Sequence, residues 1–104
     1  MATKPVSKGV LVSKYRKEAQ KDFIVAMQNE RVSQDNKWGE QTHSGHAWMS
    51  ILMEEVGELA KAINEDKPFE ITAEAVQCAA VLCAMFEQHR GETALKPAFG
   101  KWGN

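Results

Sequence analysis

Four carboxylates stand out by type and spacing: Glu54, Glu55 and Glu58 within one run of five residues, and Glu74 sixteen residues beyond Glu58. On a helix turning about 100° per residue, Glu55 falls between Ile51 and Leu59, inside an apolar face. Glu58 lies beside it at i+3, and Glu54 stands one turn before Glu58. Three acids therefore fan from a buried stripe toward one flank. Glu74 repeats the anomaly, on a stripe with Cys78, Val81 and Met85, with Gln77 at i+3. Two helices packed antiparallel would bring Glu55, Glu58 and Glu74 together.

Two carboxylates about 4 Å apart repel by about 4 kcal/mol at an effective dielectric near 20. Such a group needs protonation, a Lys or Arg partner, or a divalent cation. The helical wheel places no Lys or Arg on the shared face, with Lys61 on the flank opposite Glu55. Oxygen donors select hard ions, so Mg²⁺ is the expected ion, with Mn²⁺ as a substitute. The competing reading is a solvated acidic face. What weighs against it is that Glu55 and Glu74 each interrupt an apolar stripe.

Three helical segments must position these acids. Gly and Pro cluster at Gly39–Gly45, Pro68 and Gly91–Gly103, and they divide the chain. The first segment spans about 13–36, with Tyr15, Ala19, Phe23 and Met27 as an i, i+4 stripe joined by Ile24 and Ala26. Toward its end the stripe turns polar through Arg31, Gln34 and Trp38, as expected where a helix borders a cleft. The second spans about 45–66, with Ser44 as N-cap and Trp48, Ile51, Leu52, Val56, Leu59 and Ile63 on one face. Gly57 within it reads either as tolerated or as the close approach of another helix. The third spans about 68–89, with Gly91 as its C-cap. Its run Cys78–Phe86 is apolar all round, so a partner chain is expected to cover it. The fold class is all-α: a bundle of about three main helices completed by oligomerisation. It is one domain over 1–104, with a core of about 13–90 and an irregular tail from 91 in which Phe99 and Trp102 could dock.

Composition narrows the classes. The chain has 104 residues and a formal net charge of -1, which gives no electrostatic case for a nucleic-acid polymer or a membrane surface. No apolar run is read as approaching the length of a membrane span. Cys78 and Cys83 point about 140° apart on one helix and cannot pair with each other. Small buried thiols in a reducing compartment place the protein in the cytoplasm.

The carboxylate pattern resembles that of the MazG-like, all-α nucleoside triphosphate pyrophosphohydrolases. The first motif reads Glu54-Glu55-Val56-Gly57-Glu58 and the second Glu74-Ala75-Val76-Gln77. The upstream string is more specific: Glu30-Arg31, then Gln34-Asp35-Asn36-Lys37-Trp38-Gly39-Glu40-Gln41 and His43, followed by Trp48 and Ile51 to Glu55. It is similar to a small single-domain branch of the family, over roughly 22–87. The resemblance implies a homodimer or homotetramer with Mg²⁺ held by Glu54, Glu55, Glu58 and Glu74. It also implies cleavage of a nucleoside triphosphate between the α and β phosphates, giving a monophosphate and pyrophosphate. The family's second motif usually ends in Asp where this chain has Gln77, whose amide oxygen can ligate but brings no charge.

Within that reading, Glu55 or Glu58 is the expected general base. Arg31, Lys37 and Lys61 are candidate phosphate contacts, each also suited to a surface ion pair. Trp38 is a candidate stacking platform beside Gln34 and Asp35, or a core residue ending the first helix. His43 is a candidate phosphate contact or a plain loop histidine. The Gln77 departure keeps a second function open: a catalytically weakened nucleotide-binding bundle with a regulatory or scaffold role. A purely structural helical oligomer is the third.

Overall fold

The computed structural model describes residues 14–92. They form three helices and no strand: α1 (Arg16–Trp38), α2 (Gly45–Asn64) and α3 (Pro68–Glu92). The fold is all-α, as the periodicity predicts. The tail with Phe99 and Trp102 lies outside the described residues.

Local chemistry sets the boundaries. α1 runs to Trp38 because Gly39 takes the turn. Its φ of 75° is a region glycine enters without strain, and its N–H donates to Asp35 O at 2.8 Å. α2 starts at Ser44, whose Oγ accepts the Ala47 N–H at 3.1 Å. It stops at Asn64, two residues earlier than expected. Asp66 turns the chain at a φ of 55°, and Lys67 N donates back to Ala62 O. Pro68 then opens α3, where its missing N–H leaves nothing unsatisfied. The expected C-cap at Gly91 is not used, and α3 continues through it to Glu92.

α2 and α3 pack antiparallel. Trp48 near the start of α2 reaches Gln88 near the end of α3, and Ala62 meets the link into α3. The core between them is small. Among the described residues, Trp48, Ala62, Ala80 and Val81 are the buried apolar ones, and no large side chain is fully enclosed. α1 lies against α3 only through its second half. Ala26, Met27, Glu30, Arg31 and Gln34 are half-buried, while every residue from Lys14 to Val25 is exposed. The predicted stripe of Tyr15, Phe23 and Ile24 thus meets solvent in the single chain.

Two expectations for α2 need correction. Val56 and Ile63 do not join the buried face; they turn outward with Met49 and Met53. Met49, Met53, Val56, Ala60 and Ile63 recur at alternating steps of four and three, so α2 carries a second apolar stripe beside the first. Gly57 is not a point of close approach, since a Cβ there would meet nothing within 4 Å in the chain. In α3, Leu82 and Phe86 are half exposed in the single chain, on the apolar helix that a partner chain is expected to cover. By length and composition α3 is also apolar enough to cross a membrane, with mean hydropathy 1.5 over an 18-residue stretch. The helix meets that standard on its average, with Ala, Cys and Val spread through it, while its continuous apolar run remains the short Cys78–Phe86 stretch.

Candidate metal centre and the polar cleft beside it

The antiparallel pairing of α2 and α3 brings three of the four singled-out carboxylates together. Glu55 and Glu58, one turn apart on α2, face Glu74 on α3, and one carboxylate oxygen from each lies within 4.8 Å of the others. Glu55 and Glu74 are half-buried and Glu58 is exposed, so the cluster opens to solvent on the Glu58 side. Glu74 Oε1 is withdrawn from water and has no hydrogen-bond partner. A buried acceptor left in that state is unfavourable by about 1–3 kcal/mol, and more for a charged group.

The electrostatics follow from this crowding. Burial first, then the charges of Glu58, Glu74, Glu54 and Glu30, raise the Glu55 carboxyl above its ordinary range. Glu74 is raised first by burial, then by the neighbouring Glu58 and Glu70 carboxylates. The Cys78 thiol, one turn beyond Glu74, is pushed up by burial and then by Glu55, Glu74 and Glu58. Both cysteines are free. A hard cation fits this donor set. It is all carboxylate, it closes within one ion's reach, and it contains an oxygen awaiting a partner.

Lys61 does not lie away from the acids. Together with Glu58, Ala62, Glu65, Lys67, Glu70 and Glu74 it lines an open groove of about 380 Å³. The flank reading took Glu55 as its reference, whereas Lys61 stands one turn beyond Glu58 and shares that residue's side of the helix. Lys67 is occupied by Glu65 at 3.0 Å and Glu70 at 3.8 Å. Neither lysine satisfies Glu74 Oε1. Glu54 is exposed and acts on Glu55 through its charge, outside the closest trio. Gln77 is half-buried, one turn along α3 from Glu74.

The upstream residues gather elsewhere, in a polar cleft where α1, the 39–44 loop and the end of α3 meet. Arg31 is its hub. Nε donates to Glu87 Oε2 at 3.0 Å and NH2 to Glu87 Oε1 at 2.5 Å. NH1 donates to Gln34 Oε1 at 2.9 Å, and NH2 also to Asp35 Oδ1 at 3.1 Å. Hydrogen bonding to Glu87 is the largest influence raising the guanidinium, and the same bond holds Glu87 below the usual carboxylate range. Arg31, expected at phosphate, thus ties α1 to α3 with its donor fork engaged by protein. A pocket of about 230 Å³ lies here, lined by Arg31, Asp35, Gln41, Thr42, Glu87 and Gln88 among others.

Gln88 fastens the loop. Its Oε1 accepts from His43 N at 2.9 Å and from Trp48 Nε1 at 2.7 Å, and its Nε2 donates to His43 O at 2.9 Å. The His43 ring stands edge-on to Trp48 at 4.7 Å, with Nε2 3.1 Å from Gln41 Oε1. Trp38 is 59% exposed, with the Lys37 ammonium 4.7 Å from its ring centroid. It is therefore a surface aromatic at the cleft's edge rather than a core residue. Sequence reasoning quoted Glu30 without giving it a role, and it missed Glu87 and Gln88. The available signal was the abrupt Glu87-Gln88 pair after an apolar run, but its partners on α1 and α2 are 40 to 56 residues away.

Compared with known proteins, the chain matches no family model, no curated protein and no solved structure.

Proposed function

We propose that the chain is a Mg²⁺-dependent nucleoside triphosphate pyrophosphohydrolase that cleaves the α–β phosphate bond and serves nucleotide-pool house-cleaning in the cytoplasm. The observation that carries this reading is the convergence of Glu55, Glu58 and Glu74 around a buried, unpartnered Glu74 oxygen. The motif resemblance supports it. The trio would hold Mg²⁺ or Mn²⁺, with Glu54 and Gln77 at its margin. The ion supplies charge neutralisation for the triphosphate and a more acidic water. Lys61 in the adjoining groove would meet phosphate, and exposed Trp38 would stack on a base. A homodimer or homotetramer would cover the outward apolar stripe of α2.

A second reading, a nucleotide-binding bundle with weakened catalysis, is favoured by Gln77 in place of an acid and by the commitment of Arg31 to Glu87. The test is a panel of nucleoside triphosphates with Mg²⁺ and with EDTA, following pyrophosphate and orthophosphate. Pyrophosphate release abolished by EDTA and by Glu55→Gln supports hydrolysis. Silence across the panel, with nucleotide and Mn²⁺ still raising the Tm, moves the assignment to binding alone.

A further inference from the structure

We propose that the cleft between α1, the 39–44 loop and α3 reads the base of the nucleotide, and that it selects a base with a hydrogen-bond donor edge, guanine before the others. This deepens the hydrolase reading above and rests on it for the phosphate end.

Two adjoining cavities define the cleft. The larger, of about 230 Å³, has Glu40 and Thr42 in its wall, and the smaller has Trp38 and Trp48. Arg31, Asp35 and Gln41 line both, so the two form one space. The larger cavity falls below the roughly 300–1,000 Å³ of sites that take a whole drug-sized ligand, a size that suits one ring system rather than an entire nucleotide. Trp48 ties this space to the carboxylate trio. Glu55 follows it by seven residues on the same stripe of α2, two turns or about 10 Å along the axis. The far edge of a base and its α-phosphate, with one sugar between them, span a separation of that order.

The wall then selects the ligand. Arg31 is the only cation among the lining residues, and its donor fork is taken by Glu87, Asp35 and Gln34. Asp35, Glu40 and Glu87 leave the wall acidic, which disfavours phosphate and favours an uncharged ring with N–H groups at its edge. Carboxylates accept and cannot donate. Glu87 has both oxygens on Arg31, Asp35 has one there, and Glu40 has no partner among the described residues. Asp35 and Glu40 are thus the acceptors that a ligand meets. Guanine presents two adjacent donors, the N1–H and the 2-amino group, beside a carbonyl. Gln41 Oε1 faces His43 Nε2 at 3.1 Å, which leaves the Gln41 amide N–H groups for that carbonyl. Uracil and thymine offer one ring N–H between two carbonyls, and an acidic wall repels both carbonyls. Stacking on Trp38 serves every base alike, so it sets affinity and leaves the choice to the wall.

The test titrates the full-length chain, with Mg²⁺, against the monophosphates of guanosine, adenosine, cytidine and uridine by calorimetry, so that binding is read without turnover. Guanosine monophosphate is expected to bind about 10–100-fold tighter than uridine monophosphate, the scale of a hydrogen bond to a charged group. Asp35→Asn and Glu40→Gln each narrow that ratio by about tenfold and leave the uridine affinity unchanged. Glu40→Gln, in an exposed loop, decides the matter if loss of the Arg31 contact unfolds Asp35→Asn. Equal affinities in the wild type, no binding of any monophosphate, or a guanine preference intact in both variants overturns the assignment. The triphosphate panel is read separately. Turnover without base preference removes this inference alone, whereas guanine preference without turnover removes the hydrolase reading and leaves the base assignment standing.

Discussion

Two sets of carboxylates respond to pH in opposite directions. Glu55 and Glu74 have folded values above the ordinary 4.5. Their ionised forms work against the fold at neutral pH, and the metal-free protein gains stability as the pH falls through those raised values toward 4.5. Glu87 is held below 4.5 by Arg31. Its contribution is complete above 4.5 and is lost as the pH falls through its lowered value. Glu74→Gln is therefore expected to raise the metal-free Tm at pH 7 and to abolish any rise on adding Mg²⁺. Glu87→Gln lowers Tm at pH 7, and the difference from wild type closes in acid. Thermal melts from about pH 2 to 7, with and without Mg²⁺, check both; equal slopes in the two variants would contradict the assignment. The grouping of Glu55, Glu58 and Glu74 was legible because it depends on local spacing within two helices. The Arg31–Glu87 pair was not, because no local pattern names a partner 56 residues away.

The helices themselves were readable at their capped ends. Ser44 and Pro68 stand where the sequence places them, since each acts on backbone groups in its own turn. Faces were less readable. Val56 and Ile63 share a wide apolar arc on α2 with Trp48 and Leu59, and periodicity does not say which half of that arc meets α3. The arrangement of α2, the preceding loop and α3 instead depends on one amide. Gln88→Leu removes four hydrogen bonds and strands the Trp48 indole N–H in a nearly buried position. An unsatisfied buried donor of this kind is worth about 1–3 kcal/mol. The variant should unfold at lower denaturant by that amount, as followed by tryptophan fluorescence. A midpoint equal to wild type would show that water replaces the amide at no loss.

Taken as a whole, the single chain is under-packed. Among the described residues only Trp48, Ala62, Ala80 and Val81 are buried apolar side chains. Met49, Met53, Val56 and Ile63 lie in one outward stripe at 37–55% exposure, and a self-complementary apolar strip is how two-fold dimers bury what one chain leaves open. Met53→Lys is expected to shift the protein to monomer in sedimentation velocity at micromolar concentration. An unchanged oligomer would place the interface elsewhere.

α1 shows what that exposure means for folding. From Arg16 to Val25 every residue of it is exposed, and a helical stretch of about ten residues is marginal in water without tertiary support. The ordering of this arm and the arrival of whatever packs on it are then a single equilibrium. The entropy of fixing those residues is deducted from the apparent affinity of assembly, so a change that pre-orders the arm would tighten association without touching the interface.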